Sequence, residues 1–153
     1  MQQLFIKRFQ YYKELGDKTF AQLSDADCFW QYNEESNSIA IIVKHLAGNM
    51  LSRWTNFLTE DGEKTWRNRD AEFENEFKTK QEILDYWEKG WTCLFNALDQ
   101  INAENIHNHI YIRGEKHTIL DALLRQLAHY PYHIGQIVFY AKMLKNSEWT
   151  SLS

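Results

Sequence analysis

Apolar side chains recur at steps of three and four residues in four segments of the chain, which cover residues 2–23, 37–59, 79–100 and 118–145. This spacing puts the apolar positions on one face of an α-helix. Four such helices bury their apolar faces most simply against one another. The pattern therefore predicts an all-α protein built as a four-helix bundle.

The connections between the predicted helices differ in length. A long charged stretch, TEDGEKTWRNRDAEFENEFK, separates the second helix from the third and contains interspersed aromatic residues. Loops of this length are usually functional or disordered, and the aromatic residues favour a loop that packs against the body of the protein. Before the fourth helix, isoleucines alternate with polar residues around Arg113-Gly114, which predicts a small β-hairpin.

The composition is that of one folded domain. The chain has 153 residues, of which 44% are hydrophobic and 15% aromatic, and a chain of this size buries about two thirds of its unfolded surface. We therefore interpret residues 1–153 as a single domain. Seventeen Lys and Arg residues against twenty-one Asp and Glu residues give a net charge of -4. Because the basic residues are scattered, we expect no nucleic-acid partner.

No segment of the sequence indicates a membrane or an oxidising compartment. Apolar runs stay well below the roughly 20 residues that span a bilayer, and the N-terminus lacks the pattern of a signal peptide. Cys28 and Cys93 stand far apart, which predicts two reduced, at least partly buried thiols and no zinc-thiolate motif. We expect a soluble cytoplasmic protein.

His129 and His133 form the most informative pattern of the fourth predicted helix. They lie four residues apart, just over one helical turn, so both imidazoles project from one face where a single metal ion could bind. They share a polar stripe with Arg125, Gln126 and Gln136, and the solvated face of a helix would explain such a stripe equally well. Pro131 lies between the two histidines and costs about 3 kcal/mol in a helix interior, which favours either a shaped site or an ordinary structural kink.

His45 lies in the second predicted helix, on a stripe with Gly48 and Asn49. Glycine in mid-helix costs about 1 kcal/mol relative to alanine, so Gly48 indicates that space is needed beside His45. A lone histidine on such a face is more often a hydrogen-bonded core residue than a ligand. If the two helices pack side by side, His45 would complete a three-nitrogen site with His129 and His133, and three protein ligands leave an open coordination position.

Two stretches, KHLAGNMLSRWTNFLTEDGEKTWRNRDAEF and LLRQLAHYPYHIGQIVFYAKML, resemble the DinB/YfiT-like superfamily of metalloproteins. With the spacing of the four helices, the resemblance covers essentially the whole chain. It implies a four-helix bundle of up-down-down-up topology, in which a long connection crosses from the second helix to the third. It also implies that His45, His129 and His133 are the metal ligands.

The resemblance further implies a divalent cation, usually nickel or zinc, and often a homodimer. Imidazole suits both metals and does not identify the physiological one. Asn49 and Gln136 are candidates to form hydrogen bonds with the ligand histidines or to hold a bound water.

Other polar residues have two interpretations. A charged set in and after the second helix forms either a lid over the site or ordinary salt-bridged loop residues, and we favour the second interpretation; the set is Arg53, Trp66, Arg67, Arg69 and Asp70. The remaining histidines could be extra ligands but are expected at the surface of the hairpin region; they are His107, His109 and His117. We therefore place the predicted chemistry on the other three histidines.

An open three-histidine site is compatible with several functions. Related proteins of the superfamily transfer low-molecular-weight thiols such as bacillithiol or mycothiol to electrophiles, so the resemblance implies a metal-dependent thiol S-transferase acting on a small molecule. The same site could lower the pKa of a bound water towards about 7 and hydrolyse a substrate, although no HExxH motif supplies a general base. A third alternative is a non-catalytic, stress-related protein that binds a metal or a small molecule.

Overall fold

The computed structural model describes residues 1–152 and is mainly helical. Over that range it contains five α-helices, one two-stranded hairpin and two short 3-10 turns. In chain order these are α1 (Gln2–Phe20), α2 (Asp25–Phe29), α3 (Ile39–Trp54), a first 3-10 turn (Asp70–Phe73), α4 (Lys80–Leu98), β1 (His109–Ile112), β2 (Glu115–Thr118), α5 (Ile119–Lys145) and a second 3-10 turn (Asn146–Glu148). The predicted all-α class with a small hairpin is confirmed.

The four long helices enclose an aromatic core. α3 packs along α4, α1 packs along α5, and further contacts join α3 to α5 and α1 to α4. Trp91 of α4 makes ring contacts with Phe9 of α1, Tyr130 of α5 and Trp87. Aromatic rings of this size bury much apolar surface, so this cluster holds three helices together. The up-down-down-up order of a four-helix bundle stays a prediction.

α3 is buried on nearly all sides. Of its residues, only Leu51 lies outside the buried set. Gly90 of α4 permits this close packing, because a Cβ there would lie 2.8 Å from the Cα of Ala47. The buried polar side chains of α3 are Lys44, His45, Asn49, Ser52 and Arg53. The first four of these side chains form hydrogen bonds with other parts of the protein, as buried polar groups require.

The first predicted helix is divided in two by the structure. The sequence pattern predicts a helix over residues 2–23, but α1 ends at Phe20 and a second helix, α2, follows with Ser24 as its N-cap. The Ser24 hydroxyl accepts a hydrogen bond from the backbone N–H of Asp27, while the Asp27 carboxylate accepts one from the N–H of Ser24. This capping box fixes a new helix start. α2 is too short to show periodicity, so the pattern alone did not reveal it.

α3 ends before its predicted boundary. The sequence predicts this helix over residues 37–59, whereas the structure ends it at Trp54. Thr55 has an extended conformation, and Asn56 has a φ of 48°. Asparagine tolerates this left-handed conformation better than most residues, so it supports a sharp change of direction. The third and fourth predicted helices agree with α4 and α5 within two residues at each end.

The long connection between α3 and α4 packs against the body of the protein, as predicted. The Ser52 hydroxyl donates a hydrogen bond to the carbonyl of Gly62 and accepts one from the N–H of Lys64. The first 3-10 turn lies against α3. Trp66 and Phe73, two of the aromatic residues behind the prediction, are 58% and 48% exposed. Polar contacts therefore carry much of the anchoring that the sequence assigned to aromatic residues.

The predicted hairpin is present and closes over one end of this connection. Arg113 and Gly114 form its turn with φ values of 57° and 74°, as a tight hairpin turn requires. Ile110 and Ile112 are buried. The carbonyl of Tyr111 accepts a hydrogen bond from the N–H of Gly62 at 2.8 Å, so the hairpin and the long connection support each other.

The cysteines lie apart, as the sequence predicts. Cys28 is buried, Cys93 is partly buried, and both are free thiols. Burial raises the pKa of the Cys28 thiol to about 11. Within residues 1–152, no helix combines the length and the apolar character needed to cross a bilayer.

Candidate metal centre

Three histidines from two helices converge at one point. α3 contributes His45, and α5 contributes His129 and His133, which keep helical spacing because α5 runs through Pro131 without interruption. The Nε2 atom of His129 lies 3.3 Å from Nε2 of His45 and 3.1 Å from Nε2 of His133. One nitrogen of each ring lies within 4.8 Å of the others. The three side chains that the sequence singled out are therefore brought together.

The Nδ1 atom of each histidine forms a hydrogen bond with a side-chain oxygen. Nδ1 of His45 lies 3.0 Å from Oε2 of Glu72, and Nδ1 of His133 lies 2.7 Å from Oε1 of Gln136. Nδ1 of His129 lies 3.3 Å from Oε1 of Gln126. Because a carboxylate or amide oxygen accepts hydrogen bonds, each Nδ1 carries the proton and donates it.

These hydrogen bonds fix the chemical character of the centre. An uncharged imidazole that donates its Nδ1 proton offers Nε2 as an acceptor, and the three Nε2 atoms of the centre face one another. Burial is the largest of the causes that lower the pKa of His129 to about 3, and the neighbouring His133 and His45 contribute to the same shift. Burial also lowers the pKa of His133. At neutral pH these two rings are uncharged, so the centre presents converging lone pairs that a cation would satisfy.

The donor set fits a divalent transition metal. Two imidazole nitrogens bound to zinc at about 2.0–2.1 Å and at tetrahedral angles lie about 3.3 Å apart, close to the two short separations at His129. Within residues 1–152, this is the one group of three His, Cys, Asp or Glu side chains close enough to hold an ion. The three histidines could therefore hold a metal ion.

Glu72 is a site residue that the sequence analysis missed. It lies in the first 3-10 turn and is 5% exposed. Besides accepting from His45, its carboxylate accepts hydrogen bonds from Arg67 Nε at 2.7 Å and Arg67 Nη2 at 3.0 Å. Burial alone raises the pKa of Glu72, but the hydrogen bonds from His45 and Arg67 outweigh it and lower the pKa. The carboxylate stays ionised and holds His45 in place.

Gly48 explains how Glu72 reaches His45. A Cβ at this position would overlap the Glu72 carboxylate, 2.4 Å from Oε1. The space that the sequence analysis expected beside His45 is therefore filled by this carboxylate. The ring of Phe73 stacks on the ring of His45 at a centroid distance of 5.6 Å, so the 3-10 turn covers one side of the centre.

The two predicted supporting residues have different partners. Gln136 contacts His133, and its amide nitrogen lies 3.4 Å from the hydroxyl of Tyr132, which orients the amide oxygen towards the imidazole. Asn49 instead accepts a hydrogen bond from the hydroxyl of Tyr130 at 3.1 Å. Gln126, which lies one turn before His129, belongs to the polar stripe in the sequence and takes the supporting position at that histidine.

A cavity of about 260 Å3 opens beside the histidines. His45, His129, Gln126 and Asn49 form one part of its wall, and arginine side chains form the rest. The arginines are Arg53, Arg69, Arg113 and Arg125. No cysteine or carboxylate is among the described residues that line it. The cavity therefore offers positive charge and hydrogen-bond donors next to the three nitrogens.

The residues that the sequence interprets as salt-bridged loop residues, with a lid as the alternative, separate into different roles. Arg67 is paired with Glu72 and Glu63, as expected of a salt-bridged residue. Arg53 and Arg69 line the cavity. Trp66 and Asp70 are exposed.

The hairpin-region histidines are not part of the centre. His107 and His109 are exposed, and His117 pairs with Asp121 at 2.8 Å. His107 and His109 therefore lie at the surface, as expected, whereas His117 is partly buried, with its ring turned towards Asp121 of α5. None of the three belongs to the cluster of converging nitrogens.

Comparison with known proteins gives a family and a related fold. No curated protein matches the chain. A crystal structure of a conserved protein from Enterococcus faecalis superimposes with a TM-score of 0.72 at 20% sequence identity, covering 94% of this chain and 96% of that one. At this identity the likeness concerns the fold alone. The family described as "Protein of unknown function (DUF1572)" matches residues 2–153, and the chain belongs to this family.

Proposed function

We propose that this protein binds one divalent cation, nickel or zinc, through His45, His129 and His133, and that it is a DinB-like four-helix bundle of up-down-down-up topology. The observation that carries the metal proposal is the convergence of the Nε2 atoms, with every Nδ1 held by a side-chain oxygen. Three imidazoles leave at least one coordination position for another molecule. This is the arrangement of a reactive centre, whereas structural zinc sites are closed by four protein ligands.

The proposed activity is transfer of a small-molecule thiol to an electrophile. A divalent cation bound at the three histidines would lower the pKa of a thiol at the open position. The thiol proton leaves to solvent, the sulfur forms a bond to an electrophilic carbon, and the leaving group departs with the electron pair of the broken bond. Glu72, Gln126 and Gln136 hold the imidazoles in the orientation that this requires.

The lining of the cavity supports a nucleophile that comes from a bound molecule. Within the described part of the cavity wall, no cysteine supplies a protein thiolate and no carboxylate serves as a general base for water. Glu72 lies nearby, but its oxygens are occupied by His45 and Arg67. These features favour thiol transfer over hydrolysis, which stays the alternative reaction.

Elemental analysis of tag-free protein tests the metal proposal. We expect close to one equivalent of metal in the native chain and its loss in His45→Ala, His129→Ala and His133→Ala. His109→Ala, which removes an exposed histidine, is the matched control and should keep the metal. Metal retained in all three site variants, or absent from the native protein, would contradict the proposal.

The reaction is tested separately with bacillithiol and a chloromethyl electrophile. We expect the metal-loaded protein to accelerate the formation of the thioether and chloride, and the chelated protein and His129→Ala to lose this acceleration. A metal-loaded protein that forms no product faster than buffer would refute the transferase. Such a result, together with metal-dependent stabilisation, would favour the non-catalytic alternative.

A further inference from the structure

Arg53 is a buried cation without a partner. Its side chain lies within α3 and is 2% exposed. Nε and Nη1 are enclosed and have no hydrogen-bond acceptor, and the guanidinium forms no ion pair within residues 1–152. Burying an unpaired charge is costly unless another group compensates for it. Arg53 is therefore unlike the other buried charged residues of this centre, such as Glu72, which is fully paired.

The acidic residues whose charges act on Arg53, Glu63 and Asp61, are occupied by other groups. Glu63 pairs with Arg67 and with Arg113. Asp61 accepts hydrogen bonds from the backbone N–H groups of Glu63, Arg113 and Gly114. Burial lowers the pKa of the Arg53 guanidinium, the charge of Glu63 acts against this shift, and the charges of Arg125 and Arg67 add to it, yet arginine stays protonated in proteins. Within the described part of the chain, no carboxylate therefore forms an ion pair with this guanidinium.

The same cavity collects further positive charge. Arg69 and Arg125 line it and form no ion pair in the described part of the chain. Arg113 also lines it and has one ion pair, with Glu63 at 3.2 Å. Like charges gathered around a cavity without an acidic side chain repel one another. A bound anion would remove this repulsion and compensate the buried guanidinium.

We propose that this cavity binds an oxyanion, the carboxylate or phosphate group of a small molecule, on Arg53, Arg69 and Arg125 beside His45 and His129. Guanidinium groups bind both oxyanions through paired hydrogen bonds, which fixes orientation as well as charge. The volume of about 260 Å3 suits a small molecule or one end of a larger one. The inference deepens the proposed function, because the anchored anion would place the rest of the substrate at the three histidines.

Calorimetric titration of the metal-free full chain with inorganic phosphate, and separately with succinate, tests the oxyanion site. We expect at least one probe to bind at low ionic strength, and Arg125→Gln and Arg69→Gln each to raise its dissociation constant by about tenfold or more. Arg8→Gln is the matched control, because Arg8 is exposed on α1 and changes the net charge equally. The probe that binds distinguishes a carboxylate from a phosphate source.

Arg53→Met provides a second readout through folding stability. Removing a buried charge that has no ion-pair partner should raise the melting temperature of the metal-free protein in anion-free buffer. The same variant should lose the further rise in melting temperature that the bound probe gives the native chain. A variant that melts lower than the native protein and keeps the rise would contradict the inference.

The outcomes separate this inference from the metal proposal. Arginine-dependent binding of a probe by protein that holds no metal supports the oxyanion site even if the metal proposal fails. Binding that needs the metal and is unaffected by Arg125→Gln and Arg69→Gln would mean that the anion binds the cation, and would overturn the oxyanion site. Failure of both probes to bind, with metal present at one equivalent, would overturn it while leaving the metal proposal intact.

Discussion

Glu72 ties the orientation of His45 to a buried ion pair. Its carboxylate accepts from His45 at 3.0 Å and from Arg67 at 2.7 Å. We expect Glu72→Gln to lower metal affinity about 10–100-fold, the usual effect of removing an acceptor behind a ligand histidine. Competition with a chromophoric chelator measures the affinity. Glu76→Gln removes an exposed carboxylate that pairs with Lys44 and should leave the affinity unchanged, and equal affinities in both variants would contradict this role.

The low pKa of His129 makes the metal-free protein sensitive to acid. The pKa of this ring falls from 6.5 to about 3 on folding, mainly because the ring is buried. Between these two pH values, the unfolded chain therefore binds a proton at His129 that the folded chain does not bind. Stability is therefore full above pH 6.5 and is lost as the pH falls towards about 3.

Substitution of His129 should reduce this dependence. We expect the urea midpoint of metal-free His129→Gln to change less between pH 7 and pH 5 than that of the native protein. His109→Gln removes an exposed histidine and should keep the native dependence. A His129→Gln midpoint that falls as steeply as the native one would show that this ring does not set the acid response.

The residues of the metal centre that lie in helices could be predicted from the sequence, whereas the one that lies outside a helix could not. Helical spacing alone places His129 and His133 on one face, and it puts Gln126 and Gln136 on the same stripe. Glu72 lies in a connection without periodicity, so nothing in the sequence relates it to His45. The lack of a side chain at Gly48 was the one indirect signal of Glu72, because it indicated that some group approaches α3 at this position.

At the scale of the helix, glycine at position 48 makes α3 intrinsically less stable but leaves space for the Glu72 carboxylate beside His45. Alanine is preferred to glycine in a helix interior by about 1 kcal/mol, yet a Cβ here would displace the Glu72 carboxylate. We expect Gly48→Ala to reduce metal affinity by about tenfold or more with little loss of folding stability, since the displaced group is the end of a flexible side chain.

Gly135 of α5 is the matched position for this comparison. A Cβ there meets nothing within 4 Å, so Gly135→Ala should raise the free energy of unfolding by up to about 1 kcal/mol and leave metal affinity unchanged. Chelator competition and urea unfolding on both variants provide the measurements. Loss of affinity in both variants, or in neither, would refute the assigned role of Gly48.

Helix ends were harder to predict than helix existence. The apolar periodicity of α4 and α5 predicts both within two residues at each end, helped by the capping hydroxyls of Thr79 and Thr118. α3 stops early because Asn56 adopts a left-handed conformation, while the apolar residues Phe57 and Leu58 continue the pattern beyond the helix. A hydrophobic period reports burial, and burial continues into the loop at Phe57.

At the scale of the whole molecule, the centre links α3 to α5, so an ion there should stabilise the fold. A ligand at one hundred times its dissociation constant adds about 2.7 kcal/mol to the free energy of unfolding when it binds the folded state alone. We expect this gain when zinc or nickel is added to chelated native protein, measured by urea unfolding. His133→Ala should show little of it, and a similar gain in that variant would indicate binding elsewhere.

The arrangement of the whole chain is the level that the sequence predicts least directly. Periodicity identifies the helices, but their order and direction depend on contacts between distant residues, such as those of Trp91 with Phe9 and Tyr130. For this reason the up-down-down-up topology was predicted from the resemblance to the DinB-like superfamily, and it stays a prediction. The predicted homodimer likewise depends on a surface that no internal periodicity reveals, and it stays a prediction.

The distance along the chain between the ligands has a consequence for folding kinetics. His45 and His129 are 84 positions apart in sequence, and a contact of this separation forms late because a long loop has to close first. The complete donor set therefore arises only when α5 has docked beside α3. The rate at which a refolding chain captures a metal ion would then time that docking step.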